Sequence, residues 1–196
     1  MYRTRTNEFL EAVAAEIQAW LPELKTCEGH DGRFDLAELK RRALKTPAVL
    51  VSCGGTTSVE ERGDEGINST RQWTAFVLTR DAPGLSRGEA ARNLVDALEF
   101  LILLGAIRTE EKTGVQRQSN RWGLRGVGQP EQLRSQNLYS GTIDKKGVAL
   151  WAVSWRQTLS LRPLTEEEDC PIPSHVYLGQ APEIGTGHEA DYERVS

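Results

Sequence analysis

The sequence predicts an α+β domain: a mainly antiparallel sheet of four or five strands, covered on one side by two or three helices, with a long arm and a C-terminal extension. Three observations carry this reading. Apolar residues recur at helical spacing in two well-separated stretches, near residues 7–20 and 87–104. Short runs rich in β-branched and aromatic residues, 48–53, 71–80 and 147–161, lie between turn signals. The chain has 196 residues, enough for one hydrophobic core.

Phe9, Leu10, Val13, Ile17, Trp20 and Leu21 mark the first helix, which ends before Pro22. Leu24 to Cys27 is a candidate short strand, followed by a turn at 29–32. Asp35 then caps a second helix carrying Leu36, Leu39, Ala43 and Leu44, which Thr46-Pro47 stops. Ala48 to Cys53 reads as a buried strand bounded by Gly54-Gly55, and the polar stretch from Gly54 to Ser69 as a loop. Arg71 to Arg80 has apolar residues on both faces, as a central strand would.

After a turn at 81–84, Ser86 and Glu89 form a capping box, in which each side chain can satisfy a free backbone N–H of the other residue. The helix that follows shows the widest apolar face in the chain (Ala90, Ala91, Leu94, Val95, Leu98, Leu101 and Ile102) and ends at Gly105, a residue suited to a left-handed cap. Nothing is periodic from Arg108 to Gln136, and this long segment reads as an interaction arm or as disorder. Asn137 to Ile143 and Gly147 to Leu161 form a hairpin, with Gly147 suited to a positive φ. In its second strand Trp151, Val153, Trp155, Leu159 and Leu161 face the core, alternating with wetter positions. Beyond Pro163 the alternation stops, and Pro171, Pro173 and Pro182 exclude a continued central strand. The sequence thus divides into a domain at 1–162, with its arm at about 108–136, and an acidic, proline-containing extension at 163–196.

Hydrophobic residues make up 38% and charged residues 27%, a polar but globular balance. The formal charge of −4 is unevenly spread: from Pro163 to Ser196 eight acidic residues stand against one arginine, so the preceding 162 residues are net basic by a small margin. That balance does not fit a chain that coats DNA. No apolar run approaches the roughly 18 residues of a membrane span, and the N-terminus lacks the apolar stretch of a secretory signal. Cys27, Cys53 and Cys170 form no CxxC pair and no even framework, which fits a reducing, cytoplasmic setting.

The residues of catalysis are sparse. His30, His175 and His188 show no metal-ligand spacing, and His30-Asp31 reads as a solvated turn. No GxSxG elbow and no phosphate-binding GxxxxGK[ST] occurs, and Gly54-Gly55-Thr56-Thr57 reads as the exit of a strand. Cys53 reads as a small core residue, and Asp64/Glu65 and Glu166 to Asp169 as solvated acidic runs. No cofactor, metal or catalytic residue is expected. Arg117, Arg121, Trp122, Arg125 and Arg134 in the arm are the candidate interface residues, since arginine and tryptophan anchor protein contacts. The same set can hold phosphates and stack on a base, although Glu110, Glu111 and Glu131 dilute its charge.

One resemblance emerges. NLVDALEFLILLG from Asn93, then NLYSGTIDKKGVALWAVSWRQTLSL ending at Leu161, is similar to the Mu-like phage family that supplies tail terminators. Its most specific part is a Leu-Tyr followed by D-x-x-G-x-A-L-W-A-V-x-W, and PAVLVSCGG at 47–55 also fits. The resemblance covers about 1–162 and implies a structural virion protein with a lambda-terminator-like fold. Such proteins form a ring, usually a hexamer, on the head-proximal end of the tail tube. The ring stops tube growth and offers the head-joining surface. The implied partners are other copies of the chain, the tail tube protein and a head–tail connector or neck protein. No membrane is implied, and nucleic acid enters only as DNA passing through the ring. The implied location is the virion tail, assembled in the bacterial host cytoplasm. Another neck, head-completion or connector protein, or a nucleic-acid-binding accessory protein, are the alternatives.

Overall fold

The computed structural model describes residues 4–32, 44–62, 66–109, 116–138, 147–161, 176–178 and 193–195. The chain divides into two compact units, Met1–Arg162 and Pro163–Ser196. In chain order the first unit contains α1 (Arg5–Trp20), β1 (Thr26–His30), β2 (Ala48–Glu61), β3 (Ile67–Thr79), α2 (Arg87–Leu104), β4 (Ala106–Thr109), β5 (Gln116–Ser119), β6 (Glu131–Asn137) and β7 (Ala149–Leu161). The main sheet has five strands in the order β1-β2-β3-β7-β6. Only β1 and β2 run parallel; every other pair is antiparallel. In the second unit β8 (Val176–Leu178) pairs antiparallel with β9 (Glu193–Val195).

The fold is therefore α+β, a mostly antiparallel five-stranded sheet with two helices packed on it, as the sequence predicts. Thr4 caps α1 through its hydroxyl, which accepts from the Asn7 N–H, and the Arg5–Glu8 ion pair at 2.6 Å supports the first turn. Phe9, Val13 and Ile17, one turn apart in series, are fully buried against the sheet. On α2 the Glu89 N–H donates to Ser86 Oγ at 3.3 Å, and the Asp81 carboxylate accepts from the Arg87 N–H at 2.9 Å. Its buried stripe is Ala91, Leu94, Val95, Leu98, Leu101 and Ile102, with Ala90 half-buried at the margin. Gly105 ends the helix at φ 77°, ψ 175°, so its φ is positive while its ψ is extended, a combination glycine adopts without strain.

Each sheet face carries its own apolar cluster. Val49, Val51, Trp73, Ala75, Val77, Val153, Trp155 and Leu159 form the face beneath the two helices. Ala48, Leu50, Phe76, Leu78, Leu150 and Ala152 line part of the opposite face, with Leu44 and Leu138 packed against them. The rest of that second face is polar and cross-linked between strands: Thr70 to Thr158 at 2.7 Å, Thr74 to Ser154 at 3.0 Å and Ser160 to Asn68 at 3.0 Å.

Four expectations need correction. The stretch from Gly54 to Ser69 is not a loop: β2 continues to Glu61 and β3 begins at Ile67, through bulges at Cys53/Gly55 and Thr56/Ser58. Residues 54–61 are exposed throughout, so no hydrophobic alternation announces them. The segment from Arg108 to Gln136, expected without regular structure as an interaction arm or as disorder, contains strands: β4 and β5 pair with each other, and β6 joins the main sheet. The first strand of the last hairpin lies at 131–137, upstream of the expected 137–143, of which 139–143 lie outside the described residues. His30 closes β1 and is buried rather than solvated. The expected helix from Asp35 falls on 33–43, and that stretch, Asp64, Glu65 and 166–169 all lie outside the described residues.

Candidate protein interface

Gln157 organises the part of the chain that the sequence leaves unreadable. It lies on β7 in register with the core-facing series Val153, Trp155 and Leu159, and is 1% exposed. Its Oε1 accepts from Trp122 Nε1 at 3.0 Å and Trp155 Nε1 at 3.1 Å. Its Nε2 donates to the carbonyls of Asn120 at 3.0 Å and Gly128 at 2.8 Å. The side-chain amide is thereby fully satisfied, which a buried glutamine requires. The Trp73 indole N–H reaches the Gln157 backbone carbonyl at 3.5 Å.

Around this amide Trp122 packs edge-on to Phe9, with ring centroids 6.4 Å apart, and at the same separation from Trp155. Asn120 donates to the Leu103 carbonyl at 2.7 Å, satisfying one of the free carbonyls at the end of α2. Residues 126–128 then run beside β7: Gly128 N–H donates to the Thr158 carbonyl, and Ser160 N–H to that of Gly126, each at 2.8 Å. Segment 126–137 is thus the outer margin of the sheet, continued by β6.

The candidate interface residues separate accordingly. Trp122 is 4% exposed and belongs to the core of its own chain, so the expectation that it serves as an exposed interface anchor is corrected. Arg121, Arg125 and Arg134 are exposed, Arg134 opposite Ser154 of β7. Arg117 lies on β5, paired with Arg108. Arg134 therefore lies on the sheet margin and Arg125 stands next to Gly126, which bonds to β7, while Arg121 is exposed beside Asn120 and Trp122.

A second surface was not visible as such in the sequence. Trp20, Leu21, Ala97, Phe100, Leu101 and Gly105 line an apolar groove of about 210 Å³ between the ends of α1 and α2. Trp20, Phe100, Leu103 and Leu104 are each about half exposed, and of the described large hydrophobic residues only Val59 joins them. Its only sequence signal is that Phe100, Leu103 and Leu104 widen the apolar arc of α2 beyond the stripe that the sheet covers.

Among the described residues no group of three or more His, Cys, Asp or Glu side chains is placed to hold a metal ion. No described helix is long and apolar enough to cross a membrane. Cys27 lies at the start of β1 with its Sγ 3.2 Å from the Ala14 carbonyl. Burial pushes its thiol up to about 12, with Glu28 adding to the rise and a backbone hydrogen bond from Gln18 opposing it. In the folded protein the Cys27 thiol is expected to resist iodoacetamide at pH 8 and to react once urea unfolds the chain, as peptide mass mapping would read. Since the folded value is the raised one, the thiol's contribution to stability is complete below about pH 9 and is lost as pH rises towards 12.

No family model matches the chain, and no curated protein matches it.

Proposed function

We propose that the protein is a structural component of a phage or prophage virion: a tail terminator that assembles as a ring, closes the head-proximal end of the tail tube and offers the head-joining surface. The observation that carries this reading is the apolar groove of Trp20, Leu21, Phe100 and Leu101, which no other described residue covers, on a small domain. It is a surface for protein contact, not a pocket lined by polar reacting groups. The resemblance to the Mu-like terminator family supports the same reading. Of the stretches that carry it, 93–104 lies on α2, Asn137 ends β6, 149–161 forms β7 and 48–55 lies on β2, while 139–146, with Tyr139 and Asp144, lies outside the described residues.

Purified protein added to growing tail tubes is expected to arrest their elongation and to appear as a cap at one end in negative-stain images. Tubes that lengthen unchanged in its presence would contradict the reading. A protein that leaves tubes uncapped but binds the portal end of filled heads would instead be a neck or connector protein, the nearest alternative.

A further inference from the structure

The sheet has two unlike margins. On one side β1 covers only the first part of β2, pairing from Thr26↔Ala48 to His30↔Ser52. The outer part of β2, residues 54–61, pairs with β3 on its inner side and is exposed along its whole length. This stretch, GGTTSVEE, bears Glu60 and Glu61 and no cation. On the other side, residues 126–128 and 131–137 run along β7, and segment 125–137 exposes Arg125 and Arg134 against the single acid Glu131. Open strand edges are normally protected by bulges and by charge. Both margins have bulges, on β2 near Gly55 and Ser58 and on β6 between Glu131 and Arg134. The charges, however, are of opposite sign.

We infer that the acidic outer edge of β2 in one copy docks against the arginine-bearing margin 125–137 of a second copy of this chain. The charge that keeps β2 from pairing with another β2, and the arginine margin from its own kind, draws the unlike margins together. Because the two surfaces lie on opposite sides of one sheet, the contact is head-to-tail, and it closes into a ring or continues as a filament. The outward N–H and C=O groups of β2 at 54–61, which pair with no other strand among the described residues, gain backbone partners from the neighbouring margin, as in strand addition. The inference deepens the proposed function by assigning the subunit contact, and it rests on the self-assembly part of that reading.

Charge reversal tests it on the full chain. One variant carries Glu60→Arg and Glu61→Arg, the other Arg125→Glu and Arg134→Glu. All four side chains are exposed, and an unchanged urea midpoint checks that both variants fold. By sedimentation velocity at low salt, each variant alone is expected to stay monomeric at about ten times the concentration at which the unaltered protein assembles. Mixed in equal amounts, they regain assembly, because each reversed margin then meets an opposite one. Raising the salt to about 1 M weakens assembly of the unaltered protein. Variants that assemble alone like the unaltered chain, a mixture that stays monomeric, or an unaltered chain that is monomeric at every concentration would each overturn the contact. Capping of tubes by both variants would leave the terminator reading standing and remove only this contact. Charge-dependent assembly without capping would do the reverse.

Discussion

Replacing Gln157 by leucine is expected to lower the stability of the folded chain by about 3–5 kcal/mol. The side chain is 1% exposed and makes four hydrogen bonds, to two indoles and two backbone carbonyls. Leucine fills much of the volume but leaves the Trp122 and Trp155 N–H groups and the Asn120 and Gly128 carbonyls without their partner. Each such buried group costs about 1–3 kcal/mol, and the total is held down because segment 120–128 can lift from the sheet and admit water. Urea denaturation followed by tryptophan fluorescence would measure the loss. Hydrogen exchange should show the Gly128 amide, which donates to Thr158, losing protection before the amides of the β3–β7 pairing. A midpoint within about 0.5 kcal/mol of the unaltered protein would show that the amide does not hold this segment in place.

Trp122→Ala should be comparably severe, at about 3–5 kcal/mol, because it removes a large side chain from a packed site against Phe9 and Trp155 and orphans half of the Gln157 oxygen's bonding. Combined with Gln157→Leu, the two losses should fall short of their sum, since both release the same segment. The result separates two roles for this tryptophan. A core residue destabilises the monomer when truncated, as chemical denaturation reads directly. An exposed anchor would leave the monomer's midpoint unchanged and weaken only its assembly.

How far the sequence discloses this structure depends on where each element lies. The extent and buried face of α2 were legible because its cap at Ser86, its apolar stripe and a terminal glycine agree, although Gly105 closes it with an extended ψ and not the expected left-handed cap. The inner parts of β2, β3 and β7 were legible because at least one face is buried and the apolar pattern records it. The outer half of β2 and the whole of β6 were not, since an edge strand in water carries no alternation to read. Segment 120–130 was hidden for a different reason. Its burial rests on isolated residues, Asn120, Trp122 and Val127, which dock on a strand about thirty residues further along. One signal was available: a glutamine at a core-facing position between Trp155 and Leu159 requires buried partners from elsewhere.

The same distinction governs the candidate site. Arginines at 121, 125 and 134 could be named from the sequence, but the alignment of Arg125 and Arg134 along one sheet margin depends on pairing with β7, which no local pattern specifies. The apolar groove depends on α1 and α2 ending side by side, a tertiary fact. What distinguishes the protein's surface is therefore an opposition of margins and an apolar groove, both of which arise only when the sheet is assembled.

The most direct test of the central claim, that this chain assembles with copies of itself into a closed ring, is its mass across a concentration series by native mass spectrometry, with negative-stain images of the largest species. A single closed species of fixed subunit number, seen as a ring, is expected to grow at the expense of monomer as concentration rises. A monomer at every concentration, unaltered when tail tubes are added, would contradict it.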